Sequence, residues 1–251
     1  LGGEERLVNL FQKIRRNARS RIDDLDRDIA AIGQIGVAAQ ASIPGRNYAG
    51  FDGQRAFIGH GVTLSEASSE LTELAHRYSI PVISSPNGMG CIPMADELSL
   101  GFIGRNGAYP ANQAGRHADL VIAVGARFDD RSASSWIPGY SWNFPHAKLI
   151  HVDVDPAEIG RNYAPDLGIV ADARTVLRQL LGEIEHRGKN AAPRLAPWRD
   201  EIAAWQKEWH DFTAPNMDTR TSPLRPEQVV TSLRRLMPDD GILSLDSGVH
   251  H

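Results

Sequence analysis

LVIAVGARFDDR, residues 120–131, is the stretch whose reading decides the fold. Its first half, Leu120 to Val124, is apolar at every position. A strand with one wet face alternates apolar and polar residues, so an unbroken apolar run predicts a strand buried on both faces. Gly125 ends the run, and two arginines and two aspartates follow at once.

Working outward, other runs share this character. AFIG (56–59), IPVISS (80–85), KLIHVDVD (148–155) and GIV (168–170) read as strands. LSEASSELTELAHRY (64–78) places Leu64, Ala67, Leu71, Leu74, Ala75 and Tyr78 on one helical face. Thr63 and Glu66 have capping-box spacing at its start. TVLRQLLGEIEH (175–186) turns Val176, Leu177, Leu180, Leu181 and Ile184 inward as a second helix. Apolar strands alternating with helices predict an α/β domain of the six-stranded type, a Rossmann-like parallel sheet with helices on both faces.

The flanks differ. Residues 1–54 form an expected arm, mainly helical, in which Arg15, Arg16, Arg19 and Arg21 precede Asp23, Asp24, Asp26 and Asp28. Such charge blocks make a solvated helix face, although Leu7, Leu10, Phe11 and Ile14 also form an apolar stripe. Residues 1–50 are expected to be dispensable for folding. Residues 55–186 are the expected central domain, and 187–225, with several prolines and a helix carrying Trp205 and Trp209, a linker. Residues 226–251 begin another domain: PEQVVTSLRRLM as helix, GILSLDSG as strand and turn, and then the end of the sequence. The expectation is a truncated stub.

Composition narrows the function classes. Hydrophobic residues at 41% and charged residues at 23% are ordinary for a globular protein. A net charge of -4 gives no basis for a nucleic-acid or anionic-membrane partner. No apolar run is long enough to span a membrane, and the N-terminus lacks the apolar core of a signal peptide. One cysteine, Cys91, fits a reducing, cytoplasmic setting. The nine histidines show no metal-ligand spacing.

In an open parallel sheet, ligands sit beyond the carboxyl ends of the strands. The glycines fall there: Gly59-His60-Gly61 after AFI, Gly88-Met89-Gly90 after VISS, GFIGRNG (101–107), and Gly125. Glycine allows close backbone approach, and helix N-termini attract phosphate; a single tight turn explains any one of them equally well. Asp153 ends a strand, where an acid can accept from ribose hydroxyls. Alternatively, Asp155-Pro156 simply starts a helix with Asp155 as its cap. In GARFDDR (125–131), a guanidinium fork suits phosphate or a flat ring; the competing reading is a surface salt-bridge cluster.

GHGVTLSEASSELTELAHRYSIPV, SSPNGMGCIP, LGFIGRNGAYPAN, ADLVIAVGARFDDR, HVDVDPAEIGRN and ADARTVL, in that order, resemble the central domain of acetolactate synthase large subunits, over about residues 57–181. The resemblance implies a thiamine-diphosphate enzyme that decarboxylates one 2-oxo acid, such as pyruvate, and joins it to another. It also implies FAD as a structural cofactor, Mg²⁺ bound through ligands outside this chain, and a homodimer or homotetramer. It places Gly61, Gly104, Arg105, Asn106, Gly125, Ala126, Arg127, Asp129, Arg131, Asp153, Val154, Asp172 and Ala173 beside FAD. SGVHH resembles the start of the family's C-terminal domain and puts Gly248, Val249 and His250 at the thiamine diphosphate.

The departures are specific. Arg105-Asn106 stands where the family has Met-His, Gly59-His60-Gly61 replaces a glycine triplet, and Val249 replaces a polar residue. The family's activating glutamate belongs to a preceding domain that residues 1–50 do not resemble, and no GDG motif for Mg²⁺ and diphosphate occurs. Residues 1–50 read as a foreign extension or a frame-shifted stretch, and the fragment alone is expected to be inactive. Two alternatives stay open: another thiamine-diphosphate lyase or decarboxylase, of glyoxylate carboligase or oxalyl-CoA decarboxylase type, and a non-catalytic nucleotide-binding module holding FAD or ADP.

Overall fold

A computed structural model describes residues 54–187, 196–217 and 222–244. The expected N-terminal helix therefore lies outside the described residues, as do Gly248, Val249 and His250. The chain divides into two compact units between Ala203 and Ala204.

The first unit is built on a sheet of six parallel strands: β1 (Gln54–Ile58), β2 (Val82–Ser84), β3 (Ser99–Phe102), β4 (Leu120–Val124), β5 (Lys148–Asp153) and β6 (Leu167–Val170). Their order is β3-β2-β1-β4-β5-β6. The chain works outward from β1 to one edge, then returns to the other side of β1. This reversal, between β1 and β4, is where open α/β sheets present a ligand crevice.

Helices α1 (His60–Leu64), α2 (Ser68–Tyr78) and α3 (Tyr109–His117) lie between strands, and α4 (Ala173–Arg187) and α5 (Ala196–Met217) follow the last one. β4 is buried at all five positions, as its apolar run requires. Leu120, Ile122 and Val124 pack with Leu71, Leu74, Ala75 and Tyr78 of α2 and with Val176, Leu177, Leu180 and Leu181 of α4. Alternation along the strand turns Val121 and Ala123 to the opposite face, where α3 lies against β2 and β3. Gly115 of α3 permits that approach: a Cβ there would stand 2.5 Å from the Ile103 Cδ1.

Four local expectations are corrected. Residues 64–78 are not one helix: α1 stops at Leu64, Glu66 takes φ +52°, and α2 starts afresh at Ser68. Leu64 is consequently exposed instead of joining the helical stripe. Thr63 and Glu66 therefore form no capping box; the Glu66 amide donates to the Thr63 carbonyl in a turn. Strand β3 runs into residues 101–107, where the glycine spacing predicts only a loop. Lastly, the described part of GILSLDSG, Gly241–Ser244, carries no strand.

The second unit contains the end of α5, with Trp209 stacked on Phe212 at 5.8 Å, and α6 (Pro226–Leu236). The Gln228 side chain accepts from the Arg225 amide and so closes the start of α6. Among the described residues, no helix is long and apolar enough to cross a membrane.

Candidate functional site at the strand ends

Of the described residues of the predicted site, Gly61 lies in α1 and Ala173 opens α4; the others lie on loops that leave the carboxyl ends of the strands, or at Asp153 itself. The sheet order brings the loops after β1 and β4 together. The Gly59 amide donates to the Val124 carbonyl at 3.0 Å and the Gly61 amide to the Gly125 carbonyl at 3.2 Å. A Cβ on Gly59 would stand 1.8 Å from the Gly125 oxygen, and Gly125 itself sits at φ +60°. The close approach that these glycines permit is thus between two loops of the protein.

Gly104 does the same in the neighbouring loop. A Cβ on it would stand 1.9 Å from the Arg131 carbonyl oxygen, and its φ is +121°. Asn112 of α3 pins this loop, donating to the Gly104 carbonyl at 2.9 Å and accepting from its amide at 3.2 Å. Arg105 reaches back to Asp130 at 2.7 Å, so the loop after β3 and the loop after β4 form one rim. Both partners are about half exposed, which makes this a weak ion pair. Asn106 is exposed beside it.

GARFDDR turns inside out relative to its charges. Ala126 and Phe128 are buried, while Arg127, Asp129 and Arg131 are exposed. The Arg127 side chain is 72% exposed. Phe128 adopts φ +51°, a left-handed conformation that costs about 1–2 kcal/mol in an L-residue. Its carbonyl is held by two donors at 3.0 Å, the Trp136 indole N–H and the Asn162 amide. Its ring meets Trp142, Phe144, His151 and Tyr163 edge-on, at centroid distances of 5.3–5.9 Å. Asp129 accepts from the Ser132 amide at 2.8 Å and stabilises the turn that follows.

Nothing in the strand and helix periodicity announces this aromatic cluster. His151, on β5, is buried within it. Its Nε2–H donates to the Ala126 carbonyl at 2.8 Å, which leaves Nδ1 to face the Gly160 amide. Burial lowers the imidazole pKa and keeps the ring neutral.

Asp153 ends β5 nearly buried and accepts from the Asp155 amide at 3.0 Å; Val154 beside it is exposed. Asp155 accepts from the Ala157 amide in a local turn, and no helix follows it. Asp172 does cap a helix. Its carboxylate accepts from the Thr175 amide and hydroxyl at the start of α4, and Ala173 is buried behind it. A hydrogen bond from Ser65, then those from Thr175 and the Arg174 amide, hold the Asp172 pKa below its ordinary value.

One group here lacks a partner. Glu158 is 92% buried by side chain, and its Oε1 takes Arg161 at 3.0 Å and Arg127 at 3.7 Å. Its Oε2 is buried with no hydrogen-bond partner. The rim thus offers exposed guanidiniums for phosphate and, at Asp153, a carboxylate that can accept from hydroxyls. That donor set suits the phosphates and hydroxyls of a nucleotide. Among the described residues, no three metal-ligating side chains converge.

The chain is 34% identical to the acetolactate synthase large subunit of Haemophilus influenzae over 195 residues, covering 77% of this chain and 32% of that protein. It is 37% identical to a probable acetolactate synthase large subunit of Methanocaldococcus jannaschii over 182 residues, covering 71% and 28% respectively. It is 31% identical to the acetolactate synthase isozyme 3 large subunit of Escherichia coli over 197 residues, covering 77% and 33%. The chain spans about a third of the length of these curated relatives. The family model for the thiamine pyrophosphate enzyme central domain matches residues 56–180, which contain the whole sheet beyond its first residues. From residue 56 to residue 180, this chain is a thiamine pyrophosphate enzyme central domain.

Proposed function

We propose that this chain is the nucleotide-binding part of an acetolactate synthase-like enzyme, one that decarboxylates a 2-oxo acid such as pyruvate and joins it to a second. The observation that carries the reading is the convergence of the loops after β1, β3, β4 and β5 on the point where the strand order reverses. The names of the relatives supply the reaction. Thiamine diphosphate, when bound, supplies the electron sink that decarboxylation requires. Gly248, Val249 and His250 are the residues proposed to reach it.

The central domain is proposed to hold FAD in a structural role. Arg127 and Arg131 would face its phosphates, with Arg105 and Asn106 on the adjoining rim. Asp153 would accept from its hydroxyls, with Val154 beside it. Gly61, Gly104, Gly125 and Ala126 keep the loops close enough to line one crevice, and Asp172 and Ala173 hold the start of α4 there. Mg²⁺ and an oligomer of two or four copies belong to the proposed whole enzyme. The test is flavin binding by the purified chain. FAD that co-elutes with it on gel filtration and saturates at one site supports the reading; FAD that never co-elutes overturns it.

A further inference from the structure

Glu158 and Arg161, which the flavin reading leaves unused, form a trio with Arg127. Arg127 leaves the loop after β4, and Arg161 the loop after β5. Both reach the same oxygen, Oε1 of Glu158, at 3.7 and 3.0 Å. The carboxylate is buried, whereas the two arginine side chains are 72% and 63% exposed. A buried acid therefore anchors two guanidiniums by their inner edges and leaves outer edges in solvent. Each guanidinium carries five N–H donors, and these contacts occupy few of them. The trio has net charge +1, and planar N–H forks match phosphate oxygens two at a time. Oε1 is shared between two cations while Oε2 has none, so the anchor is not yet closed.

We infer that Arg161, held with Arg127 on the buried carboxylate of Glu158, binds the diphosphate of the nucleotide, and that Glu158 is the positioning residue that sets the pair. This rests on the nucleotide reading above and adds two residues, Arg161 and Glu158, to its site. Anionic phosphate draws the outer edges of both guanidiniums toward one point. Glu158 then offsets the repulsion between the two cations from below.

The experiment titrates FAD into the full 251-residue chain and into Arg161→Ala, Arg161→Lys and Glu158→Gln variants, at low and high salt, with thermal midpoints measured alongside. Arg161→Ala is expected to weaken FAD binding by about tenfold or more, the loss of one charge-assisted hydrogen bond, and Glu158→Gln to weaken it by loosening the two guanidiniums that the carboxylate holds. Arg161→Ala should also flatten the salt dependence, because one screened contact is gone. Its midpoint should stay at the wild-type value, and Arg161→Lys should recover part of the affinity. A purely structural role would lower the midpoint and leave the salt dependence unchanged. FAD bound equally by wild type and Arg161→Ala sinks this inference and leaves the nucleotide reading standing. FAD bound by neither sinks both. If Glu158→Gln does not fold, the exposed Arg161 decides alone.

Discussion

Gly61 and Gly125 stand back to back at the reversal of the sheet: a Cβ on Gly125 would lie 2.6 Å from the Gly61 Cα. Gly125 also sits at φ +60°, which L-residues with a side chain adopt at a cost. Gly125→Ala therefore combines a strained backbone with a clash between two main chains. Left-handed strain of about 1–2 kcal/mol and overpacking of about 1–3 kcal/mol sum to roughly 2–5 kcal/mol. Urea denaturation should show this loss, and a change under about 0.5 kcal/mol, the range of neutral surface substitutions, would remove the contact from the account.

Glu70 ties α2 to α4. It accepts from Ser69 at 2.8 Å, from Arg174 at 3.1 Å and from Arg178 at 2.7 Å. The Ser69 hydrogen bond, its own backbone amide and the two arginines lower its pKa from 4.5 to about 2. A carboxylate with a depressed folded pKa stabilises the fold above its unfolded pKa, and this contribution fades as pH falls through the folded value. Glu70→Gln should therefore melt below wild type at pH 7, and the gap should narrow between about pH 4.5 and pH 2. A gap that stays constant across that window would show that Glu70 acts by packing alone.

The sheet was legible in the sequence because β1, β4, β5 and β6 are short apolar runs with turn residues around them. β3 was not, because Gly101 and Gly104 punctuate SLGFIG and make a strand read as loop. The helix break at 65–67 was hidden for another reason. The stripe from Ala67 to Tyr78 is real, and Leu64 falls in phase with it by sequence although Glu66 reverses the chain. In the site, charge drew attention to Arg127, Asp129 and Arg131, whereas the buried contact of that loop is Phe128. An aromatic set between charged residues just after a buried strand was the available signal. Glu158 could not be found from sequence, because its burial depends on loops meeting across the sheet.

Phe128→Ala tests the aromatic cluster behind the GARFDDR loop. The ring is 2% exposed and touches four aromatic neighbours. Emptying such a position costs about 3–5 kcal/mol. The His151 ring would lose its packing partner while keeping its bond to Ala126. Thermal melting should fall by several degrees, and an unchanged midpoint would mean that the cluster is not part of the core.

The 251-residue chain by itself is expected to form no acetolactate from pyruvate. The resemblance places the activating glutamate in a domain that residues 1–50 do not resemble, and the sequence contains no GDG motif. Product formed above a heat-killed control would overturn that expectation and the proposed division of labour with it.

Arg127 is the most direct probe of the proposed flavin site. Its guanidinium is exposed at the reversal of the sheet, tethered to Glu158 only at 3.7 Å, so it is available to a ligand at little structural cost. Removing it should leave the fold intact, since exposed side chains contribute little to stability. Losing one charged hydrogen bond to a phosphate should cost about 1.5–3 kcal/mol of binding, or roughly 10- to 150-fold in affinity. Arg131→Ala should act in the same direction, because its backbone, not its side chain, packs on Gly104. Titration of FAD into wild type and each variant reads this out. Equal affinity for wild type and Arg127→Ala would place the phosphates elsewhere, whereas a loss in both variants with unchanged melting would place them over the GARFDDR loop.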